Sequence, residues 1–84
     1  MISEHDGVIL TADIDSARLV TGDSGVVVHV HRAGAAFEVE FLTMTGQTFA
    51  IATVLASQLR PVGESDLYHA RTIAGARSNW PAQS

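Results

Sequence analysis

Two histidines two positions apart, His29 and His31, are the residues of this sequence whose type and spacing most directly suggest chemistry. Residues two apart on an extended strand share a face, so the two imidazoles have the spacing to take two positions around Zn²⁺ or Cu²⁺. A third ligand would have to come from Glu38, Glu40 or another chain. Two ligands without a third seldom bind metal, and a histidine opposite a glutamate on a neighbouring strand is an ordinary surface contact. We therefore expect no metal site and no cofactor.

Two further groups of polar residues resemble motifs of enzymes or ion sites. The segment GDSG, residues 22–25, contains the acid and the hydroxyl that surround a nucleophilic serine in some hydrolases. It precedes a strand rather than a helix, and no partner histidine with an orienting acid is identifiable, which favours a tight turn. Asp13 and Asp15 form a carboxylate pair of the kind that binds a hard cation, but their position at a strand end favours solvated turn residues. The sequence therefore predicts that the protein is not an enzyme.

These residues are positioned by five short strands separated by turn signals, a pattern typical of a small, strongly bent all-β barrel. The predicted second and third strands form a hairpin through Ala33 and Gly34. The loop before the second strand places Leu19 and Val20 against the core and closes in the turn TGDSG. The predicted strands span residues 7–14, 26–32, 35–43, 48–54 and 59–62.

Alternation along the strands predicts which side chains are buried. In the third strand the two phenylalanines and Val39 share one face, whereas Glu38 and Glu40 take the opposite face, which we expect to be exposed. In the second strand the same logic places alternate valines inside and turns both histidines outward. The predicted core consists of Val8, Leu10, Val28, Val30, Phe37, Val39, Phe41 and Leu59.

The fourth strand and the C-terminal segment carry more apolar residues than a free surface should expose. Residues 48–54 have apolar or small side chains on both faces. Residues 63–84 follow the barrel of residues 1–62 as a short helix or as an extended tail. This apolar surface would be covered by the tail, by a foreign protein, or by a second copy through strand edges or exchanged tails. Without a cognate partner we expect a homodimer. The predicted partner-binding residues are Phe49, Ile51, Leu67, Tyr68, Ile73 and Trp80.

Length, charge and cysteine content limit the classes of function. A chain of 84 residues forms one domain, and the absence of cysteine excludes disulfides and a thiolate zinc site. The net charge is −4, lysine is absent and the arginines are scattered, so we expect no binding to nucleic acid or to anionic membranes. The first residues, MISEHDG, lack the features of a signal peptide, and no run is long enough to span a membrane. We therefore expect a cytoplasmic protein.

Residues 7–62 resemble a family of small bacterial proteins of unknown function. The matching segments, in order, are GVILTADI, TGDSGVVVHV, AAFEVEFLTMTGQTFAIATV and ASQLRPV. The resemblance implies a Src-homology-3-like barrel, similar in outline to the barrel at the end of the nitrile hydratase β subunit. It also implies a partner-dependent role, since some relatives lie beside genes for candidate toxins, and it supplies no catalytic residue.

We predict a non-enzymatic protein-interaction module that acts as the antitoxin or immunity partner of a bacterial toxin. An acidic protein suits a partner with a basic surface, because complementary charge speeds association and selects the partner. The main alternative is a structural or accessory barrel of an enzyme complex, as in nitrile hydratase. A metal-binding barrel is less favoured because the two histidines lack an identified third ligand. An RNA-binding barrel is less favoured because the surface of the predicted hairpin is acidic rather than basic and aromatic.

Overall fold

The computed structural model describes residues 1–73, and its five β-strands form one antiparallel sheet. Short 3₁₀ turns at Asp15–Ala17, Arg32–Gly34 and Ala56–Gln58 join several of the strands. The predicted all-β fold with five strands is confirmed, and within the described residues no helix is long and apolar enough to cross a membrane. The strands are β1 (Gly7–Leu10), β2 (Ser24–His31), β3 (Ala36–Leu42), β4 (Thr48–Leu55) and β5 (Leu59–Pro61).

The order of the strands in the sheet is β4-β3-β2-β1-β5. The first strand therefore lies between β2 and the last strand, with Val8 opposite Gly25 of β2 and Leu10 opposite Leu59 of β5. Strands β2, β3 and β4 form a meander in which each strand follows its neighbour through a short turn. The sheet consequently has two edges, the outer side of β4 and the outer side of β5.

The first strand is shorter than predicted, because the chain turns away after Leu10. Asp13 holds the turn by accepting hydrogen bonds from the backbone N–H and the hydroxyl of Thr21, at 2.7 and 3.0 Å. Ile14 then makes only an isolated bridge to Leu19. Leu19 is buried, as predicted for this loop.

A β-bulge at Val28 changes the alternation of β2. Val27 lies opposite Val39, and the next pair joins His29 to Glu38, so Val28 has no partner on β3. The extra residue reverses which side chains face inward. Val27 is 0% exposed and Val28 is 42% exposed, so the prediction that Val28 belongs to the core is wrong.

The bulge predicts a large loss of stability on truncation of one valine and almost none on truncation of its neighbour. Val27→Ala should lower the free energy of unfolding by about 2 kcal/mol, because it removes buried methyl groups and leaves a cavity. Val28→Ala should change it by less than about 0.5 kcal/mol, because the side chain is already hydrated. Urea denaturation of both variants measures the difference. A larger loss for Val28→Ala than for Val27→Ala would mean that the bulge lies elsewhere.

The hydrophobic core lies on one face of the sheet and is closed by Leu19 from the loop between β1 and β2. Of the predicted core residues, Val30 is half-buried and packs against the edge of the core rather than inside it. The alternation in β3 is confirmed, because Glu38 and Glu40 lie on the outer face. The buried residues are Val8, Leu10, Leu19, Val27, Ala36, Phe37, Val39, Phe41, Val54 and Leu59.

Candidate functional site

Residues 67–73, named the C-terminal strap, contact the loop before β2 and line a cleft together with the turn between β3 and β4. They have no regular secondary structure. This cleft of about 500 Å³ lies between the strap and the sheet. Buried Leu19 and Phe41 line it on the core side, and exposed Met44 and Tyr68 line it on the solvent side. The lining is mixed, because polar and charged side chains that include Asp23, His69 and Arg71 accompany the apolar ones.

The strap is held to the sheet by Arg71. Its guanidinium donates hydrogen bonds to Asp23 from Nε at 2.9 Å and from Nη2 at 2.6 Å. Nη2 also donates to the backbone carbonyl of Arg18 at 3.0 Å. The Nε2 atom of His69 lies 3.5 Å from Asp23, which also accepts from the backbone N–H of Val20. Asp23 therefore ties the strap to the loop that precedes β2.

The pKa of Asp23 reflects these contacts. Partial burial by itself would raise the pKa, but the hydrogen bonds from Arg71 and from the Val20 backbone, together with the charges of Arg71 and His69, outweigh it. The pKa therefore lies below the usual value of 3.8. A depressed folded-state pKa means that the ionised form stabilises the contact, and that this stabilisation is lost as the pH falls through the lowered value.

Acid should therefore release the strap. The contact should be fully formed above pH 3.8, the usual aspartate pKa, and should be lost as the pH falls through the lowered pKa of Asp23. The NMR shift of the Arg71 Nε–H group measures this transition. Asp23→Asn should weaken the contact at neutral pH and abolish the acid transition. An Arg71 signal that titrates identically in Asp23→Asn would show that another group holds the strap.

A second ion pair fixes the chain where it leaves the sheet. Arg60 on β5 donates to both carboxylate oxygens of Asp66, at 2.9 and 2.7 Å. Asp66 also accepts from the backbone N–H of Gly63 at 2.6 Å. The hydrogen bonds from Arg60 and then from Gly63 lower the pKa of Asp66 to about 2. The chain is thus anchored immediately before the strap and again at Arg71.

Between these two anchors the strap presents two large side chains to solvent. Leu67 is 91% exposed and Tyr68 is 97% exposed. Bidentate Arg–carboxylate pairs fix the relative position of the two residues that they join. The two side chains are therefore exposed from a restrained segment next to the cleft.

The predicted partner-binding residues are divided between the cleft and the outer face of the sheet. Phe49 lines the cleft, because a register shift at the start of β4 leaves it without a partner on β3, and the Arg18 guanidinium lies 5.4 Å from its ring centroid. Tyr68 and Ile73 also line the cleft, and Leu67 lies beside Tyr68 in the strap. Ile51 faces outward from β4, outside the cleft, and Trp80 lies outside the described residues.

Sequence reasoning missed the contribution of the turn between β3 and β4. Met44 is exposed at this turn and lines the cleft with Leu42. A methionine at an exposed turn is itself a signal, because methionine is enriched at protein interfaces.

The two histidines face outward, as predicted, and lie among acidic residues. Their ring centroids are 4.6 Å apart in an edge-to-face arrangement. His31 Nε2 lies 3.8 Å from Glu38, and His29 Nδ1 lies 3.9 Å from Glu4. Among residues 1–73, no three side chains of the metal-binding types converge closely enough to hold an ion.

Substitution of both histidines tests whether they bind a metal ion. Replacing both His29 and His31 with alanine should leave the melting temperature unchanged, with or without added Zn²⁺, because two imidazoles without a third ligand bind weakly. Differential scanning fluorimetry measures both conditions. A Zn²⁺-dependent rise in the melting temperature that the double substitution removes would establish a metal site.

The other polar motifs lie in the loop between β1 and β2 or at its end. Asp23 of the GDSG segment binds the strap, and Ser24 is the first residue of β2. The backbone N–H and then the hydroxyl of Thr21 lower the pKa of Asp13. Asp15 begins a 3₁₀ turn. These positions agree with the predicted turn roles.

Comparison with known protein families places the sheet in a described family. Residues 4–61 match the family described as a domain of unknown function, DUF4926. The matched range begins before β1 and ends with β5, so it covers the whole sheet and stops before the strap. No curated protein and no solved structure matches the chain.

Proposed function

The chain belongs to the DUF4926 family of domains of unknown function, and from this premise we propose that it is a non-enzymatic protein-interaction module. The binding site of this module is the cleft together with Leu67 and Tyr68. One observation supports it: these two side chains are almost fully exposed although ion pairs anchor the chain on both sides of them.

The composition of the site suits a protein partner. A buried interface core is enriched in aromatic residues and methionine, and a few large side chains near its centre supply most of the binding energy. Tyr68 and Met44 at the rim, with Phe49 in the recess, match this composition. Because the anchored strap has already lost part of its conformational freedom, binding costs less entropy than it would for a free tail.

The charge of the chain favours a basic partner. The net charge is −4, and the sequence contains no lysine. Glu38 and Glu40 add an acidic outer face to the sheet. This supports the role of an antitoxin or immunity protein that covers the basic working surface of a bacterial toxin in the cytoplasm. The Src-homology-3-like barrel remains part of the same proposal.

Site-specific crosslinking tests the proposed site. A photoreactive phenylalanine derivative at position 68 should capture one partner in the native host, whereas the same group at the exposed residue Ser57 should not. Leu67→Ala should reduce capture from position 68, and Val28→Ala, a matched change of an exposed apolar residue on β2, should leave it unchanged. Equal capture from positions 57 and 68, or no capture from position 68, would contradict the proposal.

A further inference from the structure

The two edges of the sheet differ in their protection against strand pairing. The β5 edge is only three residues long and contains Arg60 and Pro61. Short length, charge and proline all discourage the addition of another strand. The β4 edge, Thr48–Leu55, is eight residues long and contains neither a charged residue nor proline. Within residues 1–73, β4 pairs with β3 on one side and with no strand on the other.

The polar side chains of β4 are already hydrogen-bonded within the chain. Thr53 donates its hydroxyl to Glu38 at 2.6 Å. Thr48 donates its hydroxyl to Glu40 at 2.5 Å. Between the two threonines, Ile51 is 58% exposed on the outer face. The edge therefore offers unpaired backbone groups and an apolar side chain, with no charge to repel another strand.

We propose that β4 pairs with β4 of a second copy of this chain, antiparallel and around a two-fold axis at Ile51, so that the two sheets become continuous. Of β4, Phe49 also lines the cleft, but the proposal rests on the strand edge around Ile51 and does not depend on the proposed function. It assigns the predicted self-association to the strand edge rather than to an exchange of tails.

The central residues 50–52 of β4 are self-complementary about this axis, and the register shift at Phe49 bounds this stretch. In a continuous antiparallel sheet, residues opposite each other must face the same side, so the axis has to pass through a residue position. An axis at Ile51 places this isoleucine against its own copy on the outer face. It places Ala50 against Ala52 on the inner face, where small side chains allow close approach. Burial of the exposed isoleucine pair favours this register.

The acidic residues of β3 do not prevent this pairing. Glu40 lies opposite Ile51 within one chain, so the two β4 strands separate it from Glu40 of the second copy. Three strand spacings amount to about 14 Å. That distance exceeds the screening length of about 8 Å at physiological salt. Because the contact is essentially one strand pair, we expect a dissociation constant in the micromolar range, as for other small interfaces.

Sedimentation of the full chain tests the proposal. The parent protein should be a dimer at high micromolar concentration. Ile51→Lys should weaken association at least about tenfold, because two like charges would lie directly opposite each other across the axis. The same charge lies opposite Glu40 within its own chain, so the melting temperature of the monomer should not fall. Val28→Lys, an exposed valine on β2, two strands from the edge, is the matched control and should remain dimeric.

A mixture of two oppositely charged variants tests the register of the pairing between the two β4 strands. Ile51→Lys and Ile51→Glu should each be monomeric alone, and a mixture of the two should form a heterodimer, because opposite charges then meet at the axis. Because Ile51→Glu places a like charge opposite Glu40, circular dichroism first checks that both variants are folded. Failure of two folded variants to associate would overturn the pairing at Ile51. A monomeric parent protein, or a dimeric Ile51→Lys variant, would overturn the proposal as a whole. Removal of residues 74–84 should leave association unchanged, and stronger association after removal would show that this segment covers the edge instead.

Discussion

Phe41→Ala is expected to lower the free energy of unfolding by about 3 to 5 kcal/mol. Phe41 is 3% exposed and lies on β3 between Gly25 of β2 and Ala50 of β4. Neither neighbour has a side chain large enough to fill the volume that the ring vacates. A domain of this size has a total stability of about 5 kcal/mol or little more, so the variant should be largely unfolded at ambient temperature. Circular dichroism with urea denaturation measures the loss.

The next residue along β3 supplies the control for this prediction. Leu42 is exposed, so Leu42→Ala should cost less than about 1 kcal/mol. A Phe41→Ala variant that unfolds at nearly the urea concentration of the parent protein would show that β3 is assigned with the wrong face inward.

Gly25→Ala should be almost as damaging, although it adds only one methyl group. A Cβ atom at Gly25 would lie 2.7 Å from the backbone carbonyl oxygen of Glu40 and 2.7 Å from Val39 Cγ1. The carbonyl belongs to the neighbouring strand and cannot move without breaking the pairing of β2 with β3. Overpacking of this kind costs about 3 kcal/mol, which corresponds to a fall of roughly 12 °C or more in melting temperature.

Gly7 provides the matched comparison on the neighbouring strand. A Cβ atom there would lie 3.3 Å from Cγ2 of Val62, an exposed side chain that can rotate away. Gly7→Ala should therefore shift the melting temperature by only a few degrees. Equal shifts for Gly7→Ala and Gly25→Ala would mean that loss of backbone flexibility, rather than the steric contact, dominates at both positions.

The alternation of β3 was predictable because polar and apolar residues mark both faces at every step. Glu38 and Glu40 separate three buried residues, and no irregularity interrupts this run. In β2 the run Val26–Val28 contains three identical residues, so no polar side chain indicates where the alternation changes. The histidines that follow indicate which face of β2 is exposed after the bulge, but they do not indicate it before the bulge.

The anchoring of the strap could not be derived from local sequence. Arg71 and Asp23 are 48 residues apart, and neither residue belongs to a motif that specifies the other. The predicted surplus of apolar surface includes Leu67 and Tyr68, which we expect a partner to cover and which are exposed in the isolated chain. The hydrophobic pattern therefore indicates which apolar side chains need a partner surface. The position of the tail depends on long-range ion pairs, which this pattern does not encode.

The position of β1 between β2 and β5 constrains how the domain forms during synthesis on the ribosome. The meander of β2, β3 and β4 has only short connections, so it can form early. The first strand gains its second neighbour only when Leu59 has left the exit tunnel and pairs with Leu10. Until then the nascent chain exposes an incomplete core together with the uncharged edge of β4. We therefore expect translation pauses before residue 59 to increase aggregation, because partly folded chains with open strand edges associate.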